Sequence, residues 1–235
     1  MAAEPGDPPD RLPELLAGLA TTRTIRRYTD DPVDKPTLAS MLWHATRAPN
    51  GSNRQPVRYL VLRDTEPARR ARAVLGRVAR EAWSGKEDTD GYRDGSGAQP
   101  DTPKARMAAA MRHYVDHFHE APVIVLVCLM RYRSPNPYEG ASVYPAVQNL
   151  LLAARGHGLG GAVTMWHLSA EAELRDILGV PDDVALSACI TLGRPAGHHG
   201  PVRRRPLHDV VYDGAWEVPA DWAVDPEGTR FTQWR

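Results

Sequence analysis

The stretch YPAVQNLLLAARGHGLGGAVTMW, residues 144–166, predicts a helix, a turn and a strand in succession. The apolar side chains of the helix recur at amphipathic spacing: Val143, Val147, Leu150, Leu151 and Ala154. Gly156 and Gly158 predict the end of that helix and a tight turn. A dinucleotide-binding loop requires the opposite order, with a strand before the glycines and a helix after them. This stretch therefore predicts no Rossmann site.

Similar patterns on either side of this stretch alternate helices with strands. VRYLVLR (57–63), VIVLVCL (123–129) and VALSACITLG (184–193) predict strands. Helices are predicted from near Leu12, from near Pro36, over 67–83, from about Lys104 to His119, and after Ser169 as a helix cap. The alternation favours a layered domain of helices and strands, and it leaves the strand order open.

Composition excludes several classes of protein. The chain has 235 residues with 29 basic and 29 acidic side chains, so no overall field attracts nucleic acid. The N-terminus has no secretory leader pattern, and the longest apolar run, APVIVLVCLM, is half of the roughly 20 residues that a membrane helix needs. Cys128 and Cys189 lie in apolar runs and are expected to be buried thiols. We therefore expect a cytoplasmic protein with no nucleic-acid or membrane partner.

Two segments have unusual local compositions. Residues 84–103 are rich in glycine and charge, which predicts a mobile loop that could serve as an active-site lid. The tail, residues 214–235, carries Trp216, Trp222, Phe231 and Trp234. Such an aromatic segment is expected to pack either on a partner subunit or back onto its own chain, and composition alone does not choose between them.

Two arginine clusters are candidate anion sites. TRTIRR, residues 22–27, offers Arg23, Thr24 and Arg26, whose guanidinium and hydroxyl groups suit a phosphate. GPVRRRP, residues 200–206, holds Arg203, Arg204 and Arg205 between two prolines. The alternative for each cluster is a solvated basic surface, which is the more common role of a short run of arginines.

The loop PNGSNRQP, residues 49–56, is a candidate binding loop. Its amide and hydroxyl groups could satisfy the carbonyl and nitrogen atoms of a flat heteroaromatic ring: Asn50, Ser52, Asn53 and Gln55. The alternative is an ordinary polar connection between a helix and a strand.

His113 and His117 lie one helical turn apart in HYVDHFHE and could bind a metal. No third ligand follows at a suitable spacing, so a solvated helix face is favoured and no metal site is predicted. A Walker loop and a G-x-S-x-G elbow are both absent from the sequence.

Four of these segments together resemble the FMN-dependent nitroreductase family. TRTIRRYTDDPV is similar to the opening motif of that family, and APNGSNRQPVRYLVL is similar to its A-P-S-x-x-N-x-Q-P-W motif. The stretch 144–166 resembles the family's central helix and strand, and GPVRRRPLHDVV resembles its C-terminal basic motif. Order and spacing agree over residues 15–216. Thr22 stands where many relatives have an arginine, and Val57 replaces the usual aromatic residue.

The resemblance implies a single α+β domain over residues 1–235. Its fold would be a three-layer α-β-α arrangement with a mixed, mainly antiparallel sheet, assembled as an intertwined homodimer with FMN at each of two interface sites. The tail after Gly214 would then reach the partner subunit.

The resemblance also assigns residues to the cofactor. Arg23, Thr24 and Arg26 would hold the phosphate, the ribityl chain and the pyrimidine edge. Ser52, Asn53 and Gln55 would reach the flavin ring, with Asn50 beside them. The strand end would pass the flavin at three positions: Thr164, Met165 and Trp166. Arg204 would contact the phosphate, flanked by Arg203 and Arg205.

The expected function is an FMN-dependent NAD(P)H oxidoreductase that reduces nitroaromatic, quinone or similar small aromatic acceptors by ping-pong hydride transfer. The cofactor would perform the chemistry, so no catalytic residue is assigned. Two alternatives remain open. One is a specialised flavin enzyme of the same fold, such as a dehydrogenase, oxidase or dehalogenase of a biosynthetic pathway, and the other is a non-catalytic flavin-binding module.

Overall fold

The computed structural model describes residues 12–197, 199 and 202–231. The chain forms two compact units. One unit is Arg23–Gly197, and the other combines Met1–Thr22 with His198–Arg235. The assignment of residues 1–235 to a single domain stays a prediction. Trp234 lies outside the described residues.

The helices of the described chain are α1 (Leu12–Thr21), α2 (Lys35–Ala45), α3 (Glu66–Thr89), α4 (Pro103–Asp116), α5 (Tyr144–Gly156) and α6 (Glu171–Leu178). The strands are β1 (Val57–Leu62), β2 (Val123–Met130), β3 (Gly160–Thr164) and β4 (Val184–Gly193).

The four strands form one sheet in the order β1-β2-β4-β3, and every neighbouring pair is antiparallel. Within the described residues, parallel pairing occurs as isolated bridges, between Thr24 and Gly161 and between Arg204 and Phe231. The α+β class with a mainly antiparallel sheet is thereby confirmed.

Helices cover both faces of the sheet, because β2 is apolar on both sides. Ile124 and Leu126 point into a core built with α3, α4 and α6. Val125 and Val127 point into a second core built with α2 and α5. Each fully buried aliphatic side chain of this kind contributes about 1.5–3 kcal/mol of transfer free energy, so both layers hold the sheet. The three-layer arrangement is confirmed.

Capping and turn residues set the ends of several helices. Asp34 caps α2 by accepting a hydrogen bond from Thr37 N at 2.6 Å, and Pro36 lies in the first turn. Helix α5 ends at Gly156, and Gly158 follows with φ of 70°. Ser169 does not cap α6, because its hydroxyl donates to Trp166 O and the helix begins only at Glu171.

The predicted loop 84–103 begins later than expected, since α3 continues to Thr89. Glu87 explains the extension. Its carboxylate is buried and pairs with Arg112 of α4 and with Arg93. Burial opposes its ionisation, but the hydrogen bonds from Arg112 and Arg93 outweigh that effect and hold the pKa of Glu87 below its usual value. The mobility of residues 90–103 stays a prediction.

Cys128 and Cys189 are free and buried, as expected. In the part of the chain that the structure describes, every helix is too short or too polar to cross a membrane.

Strand β3 begins with two glycines because other chain segments approach it closely. A Cβ on Gly160 would overlap the side chain of Ile25. A Cβ on Gly161 would lie 2.6 Å from Thr191 O, a backbone atom of the neighbouring strand. The glycines of 156–161 were expected to form a helix stop and a turn, which Gly156 and Gly158 do, whereas Gly160 and Gly161 allow close packing.

We predict that Gly161→Ala lowers the free energy of unfolding by about 1–3 kcal/mol, since the sheet backbone must shift to admit the methyl group. Urea denaturation measures the effect. Gly156→Ala is the matched control, because a Cβ there meets nothing within 4 Å. The control should be neutral or slightly stabilising, as alanine is favoured over glycine in a helix. Equal midpoints for wild type and Gly161→Ala would contradict the close packing.

Candidate functional site

The segment Arg23–Tyr28 lies along the free edge of β3. Thr24 forms a parallel bridge with Gly161, and Ile25 N donates to Gly161 O at 2.8 Å. Ile25 is buried, Arg26 is half-buried, and Arg23 is exposed. The sheet edge therefore holds the segment while the two guanidinium groups keep access to solvent.

This segment meets β3 near the beginning of the strand. Thr24 bridges Gly161, and Arg27 O accepts from Ala196 N, which follows β4 beyond Gly193, the partner of Gly160. The structure thus brings the predicted phosphate-binding segment to the Gly160 end of β3, and the predicted strand end at Thr164 lies three residues beyond Gly161.

Thr164 carries a buried hydroxyl at that strand end. Its Oγ1 has no oxygen or nitrogen partner among the described residues, and the Cys189 thiol lies directly across on β4. Burial raises the pKa of Cys189 to about 12, so the thiol stays protonated. A buried hydroxyl without a strong partner is costly unless a ligand or water supplies one.

Met165 and Trp166 lie beyond the strand, which ends at Thr164 and not at Trp166 as expected. Met165 is exposed. The Trp166 ring instead packs in the core, with its centroid 5.9 Å from that of Tyr114 and 5.7 Å from that of Phe118. Because its ring packs in the core, only the backbone of Trp166 remains a candidate contact for the cofactor.

His167 was not singled out by sequence, and it anchors the turn that follows β3. The ring is fully buried, and its Nε2 lies 3.0 Å from Leu186 O. A carbonyl only accepts, so Nε2 carries the proton. Its Nδ1 is buried without a partner in the described chain. Burial lowers the pKa of His167, because the charged ring would be poorly solvated.

The loop before β1 has an unusual backbone. Ser52, Asn53 and Gln55 have φ values of 54°, 51° and 52°, in the left-handed region that non-glycine residues seldom adopt. Asn50 supports this conformation by accepting a hydrogen bond from Gln55 N at 2.8 Å through Oδ1. Strained backbone of this kind is concentrated at functional sites.

A cleft lies beside this loop. It is lined by Asn50 and Gln55 together with Tyr59 of β1 and Ala146 of α5. Tyr59 Oη is buried and has no partner among the described residues, and burial raises its pKa. Two of the residues predicted to bind the ring, Asn50 and Gln55, thus line one cleft.

The structure does not bring this loop to the other candidate residues. The loop leads into β1, and Thr24 pairs with β3, at the opposite edge of the sheet. Val57 is level with Leu129 and Ala185, whereas Gly161 is level with Leu192 of the same strand. Three strand spacings and seven residues along β4 separate them by on the order of 25 Å. One chain therefore carries two separate groups of candidate residues at opposite sheet edges, which we call half-sites.

Arg203, Arg204 and Arg205 belong to the unit that contains the chain ends. All three are exposed. Arg204 bridges Phe231, and its Nη1 donates to Arg203 O at 2.8 Å. Their cofactor role stays a prediction.

The rings of His113 and His117 lie with centroids 4.5 Å apart and planes tilted by 42°, in a cleft of about 340 Å³ that Arg26 and Glu120 also line. His117 Nδ1 pairs with Glu120 Oε2 at 2.6 Å. Across the described residues, no group of three or more metal-ligating side chains converges.

Comparison with known proteins identifies the family. The model of the Nitroreductase family matches residues 19–194. A protein of Thermus thermophilus named NADH dehydrogenase is 32% identical over 213 residues, which cover 85% of this chain and 97% of that protein. The chain therefore belongs to the nitroreductase family.

Solved structures agree with this fold. A Desulfovibrio desulfuricans protein in complex with FMN is 26% identical, with a TM-score of 0.60 over 90% of this chain and 99% of that chain. An FMN and NADPH-dependent nitroreductase from Sphingopyxis sp. strain HMH has a TM-score of 0.64 at 24% identity, covering 86% of this chain and 99% of that chain.

We predict that His167→Gln flattens the pH dependence of stability. The pKa of His167 is lower in the folded chain than its ordinary value of 6.5, so the unfolded chain takes up the proton first. The free energy of unfolding must then fall as the pH drops below about 6.5. Glutamine keeps a donor for Leu186 O but does not titrate.

Urea midpoints at about pH 7 and pH 5 test this prediction for both proteins. The wild type should lose more stability on acidification than His167→Gln. An equal loss would show that His167 does not contribute to the acid sensitivity.

Proposed function

We propose that this chain is an FMN-dependent NAD(P)H oxidoreductase that reduces nitroaromatic, quinone or similar small aromatic acceptors. The observation that carries the proposal is the bridge between Thr24 and Gly161, which holds the segment that contains Arg23 and Arg26 against the free edge of β3. The FMN complex of one relative and the cofactors named for another support the cofactor assignment.

The residues at this edge fit FMN chemically. A phosphate needs charged donors, which Arg23 and Arg26 provide with the Thr24 hydroxyl beside them. The ring has carbonyl and nitrogen acceptors, which suit the Thr164 hydroxyl and the backbone N–H groups of Met165 and Trp166. By sequence resemblance, Arg203, Arg204 and Arg205 are proposed as further phosphate contacts.

Bound FMN would supply the two-electron hydride chemistry. The task of the chain is then orientation and charge. Arg26 places a fixed positive charge where half-burial weakens solvent screening, so it favours ligand states that carry negative charge. A single flat slot that admits the nicotinamide donor and then the acceptor requires ping-pong kinetics, and it needs no acid or base from the protein.

We further propose that the protein is a homodimer in which the loop Asn50–Gln55 completes the site of the partner subunit. The two half-sites of one chain lie at opposite sheet edges, too far apart for one FMN to touch both. Exposed aromatic surface supports association: Trp43 of α2 is 56% exposed, and in the tail Trp216 and Trp222 are 80% and 66% exposed. Large exposed apolar surface is typical of an interface.

The function is tested by FMN uptake and turnover. The purified protein should retain FMN, be reduced by NADH or NADPH, and pass the electrons to a nitroaromatic or a quinone. We expect Arg26→Ala to weaken FMN binding roughly 10- to 100-fold, since a charge-assisted hydrogen bond contributes about 1.5–3 kcal/mol.

Arg70→Ala is the matched control, because Arg70 is exposed on α3 and its substitution removes the same charge away from the site. It should bind FMN like the wild type. A protein that takes up no FMN would overturn the proposal. FMN uptake without reduction by either nicotinamide would favour a specialised dehydrogenase or oxidase instead.

The shared site is tested with mixed dimers of Arg26→Ala and Asn53→Gly chains. Glycine suits Asn53 because it accepts the left-handed φ while removing the amide. If the loop acts on the partner, one site of each mixed dimer has both residues intact and the other has neither. FMN content should then recover to about half of the wild-type value.

The two homodimeric variants give the baseline, and both should retain little FMN. If Arg26 and Asn53 instead served the same site within one chain, every site of the mixed dimer would be damaged. FMN content at the level of the variants would exclude the shared site. Sedimentation of the wild type provides the oligomeric state directly.

A further inference from the structure

Three hydroxyl groups form a buried chain beneath the segment that carries Arg26. Tyr28 Oη lies 2.8 Å from Thr191 Oγ1, and Tyr114 Oη lies 2.8 Å from the same atom. Thr191 is on β4 and is fully buried, and Tyr114 is on α4. Burial raises the pKa of both tyrosines far above neutrality, so both keep their protons.

The direction of this chain follows from counting protons. Tyr28 Oη is also 2.6 Å from Ile25 O and 3.1 Å from Thr191 O, and a carbonyl oxygen can only accept. The single proton of Tyr28 therefore goes to a carbonyl, and the shorter contact assigns it to Ile25 O. Thr191 must then donate to Tyr28, which leaves Tyr114 as the donor to Thr191. The order is Tyr114 to Thr191 to Tyr28 to Ile25 O.

The last acceptor in this series of hydrogen bonds belongs to a peptide group that determines where Arg26 lies. Ile25 O belongs to the peptide bond that joins Ile25 to Arg26. The other side of Ile25 is also fixed, since its N–H donates to Gly161 O at 2.8 Å. On the far side of Arg26, Arg27 O accepts from Ala196 N at 2.9 Å. The backbone around Arg26 is thus held from both directions.

We propose that Tyr28, backed by Thr191 and Tyr114, is a positioning residue for Arg26. It acts through the Ile25–Arg26 peptide and not by touching the ligand. This inference rests on the proposed role of Arg26 towards FMN. The direction of these hydrogen bonds also means that the three hydroxyls are not equivalent. Loss of the Tyr28 hydroxyl frees the Ile25 carbonyl, whereas loss of the Thr191 or Tyr114 hydroxyl leaves the bond to that carbonyl in place.

Three variants remove one hydroxyl each: Tyr28→Phe, Thr191→Val and Tyr114→Phe. All three lose a buried hydrogen bond, so urea midpoints should fall in all of them. FMN binding should not follow stability. We expect the FMN dissociation constant to rise about tenfold in Tyr28→Phe, less in Thr191→Val, and within about twofold of wild type in Tyr114→Phe. The midpoint potential of bound flavin should become more negative in the same order.

If the three hydroxyls only stabilised the fold, the FMN dissociation constants of the variants would follow their urea midpoints. They would then not depend on how far the lost hydroxyl lies from Ile25 O. That result, or wild-type FMN binding in Tyr28→Phe, would overturn the inference. If Tyr28→Phe does not fold, the comparison of Thr191→Val with Tyr114→Phe still tests the order. Wild-type protein that binds no FMN would overturn the proposed function and this inference together, which distinguishes that failure from a failure of positioning alone.

Discussion

The hydrogen bond from Ile25 N to Gly161 O is the constraint on which the candidate site depends. It attaches an irregular segment to the edge of a four-stranded sheet, where Ile25 packs so closely on Gly160 that a Cβ there would overlap its side chain. One such bond contributes about 0.5–1.5 kcal/mol, which is small on the scale of the fold. Its importance is geometric, since it fixes the backbone directly before Arg26 against the free edge of β3.

The antiparallel order of the strands has an equally direct consequence. Because β1 and β3 are the two edges of the sheet, residues that resemble one binding motif along the sequence are separated in space within one chain. Helices α2 and α5 cover the face between them and leave Trp43 exposed. A second copy of the chain would supply both the missing loop and a cover for that aromatic surface, so the proposed cofactor site and the proposed dimer have one structural cause.

Sequence alone predicted the features that depend on near neighbours. The helix over 144–156, the start of α2 at Pro36 and the buried thiols follow from periodicity, capping and apolar runs. Features set by distant contacts were missed. Glu87 extends α3 by pairing with Arg112, Trp166 packs in the core, and Tyr28 bonds to Thr191, 163 residues away. The four ordered motifs identified the family. The sheet order, which sequence did not predict, places the loop 49–56 and the segment 22–27 at opposite edges of the sheet.

The placement of the two thiols has a practical consequence for chemical labelling. Cys128 and Cys189 are the only cysteines of the chain, both are buried, and burial raises the pKa of each, to about 11 and about 12. Thiolates are the reactive species, so the native fold presents almost none to an alkylating reagent at neutral pH. A single cysteine introduced at the surface would therefore be labelled selectively. A fluorophore or spin label attached there would report on subunit exchange without a cysteine-free variant having to be prepared first.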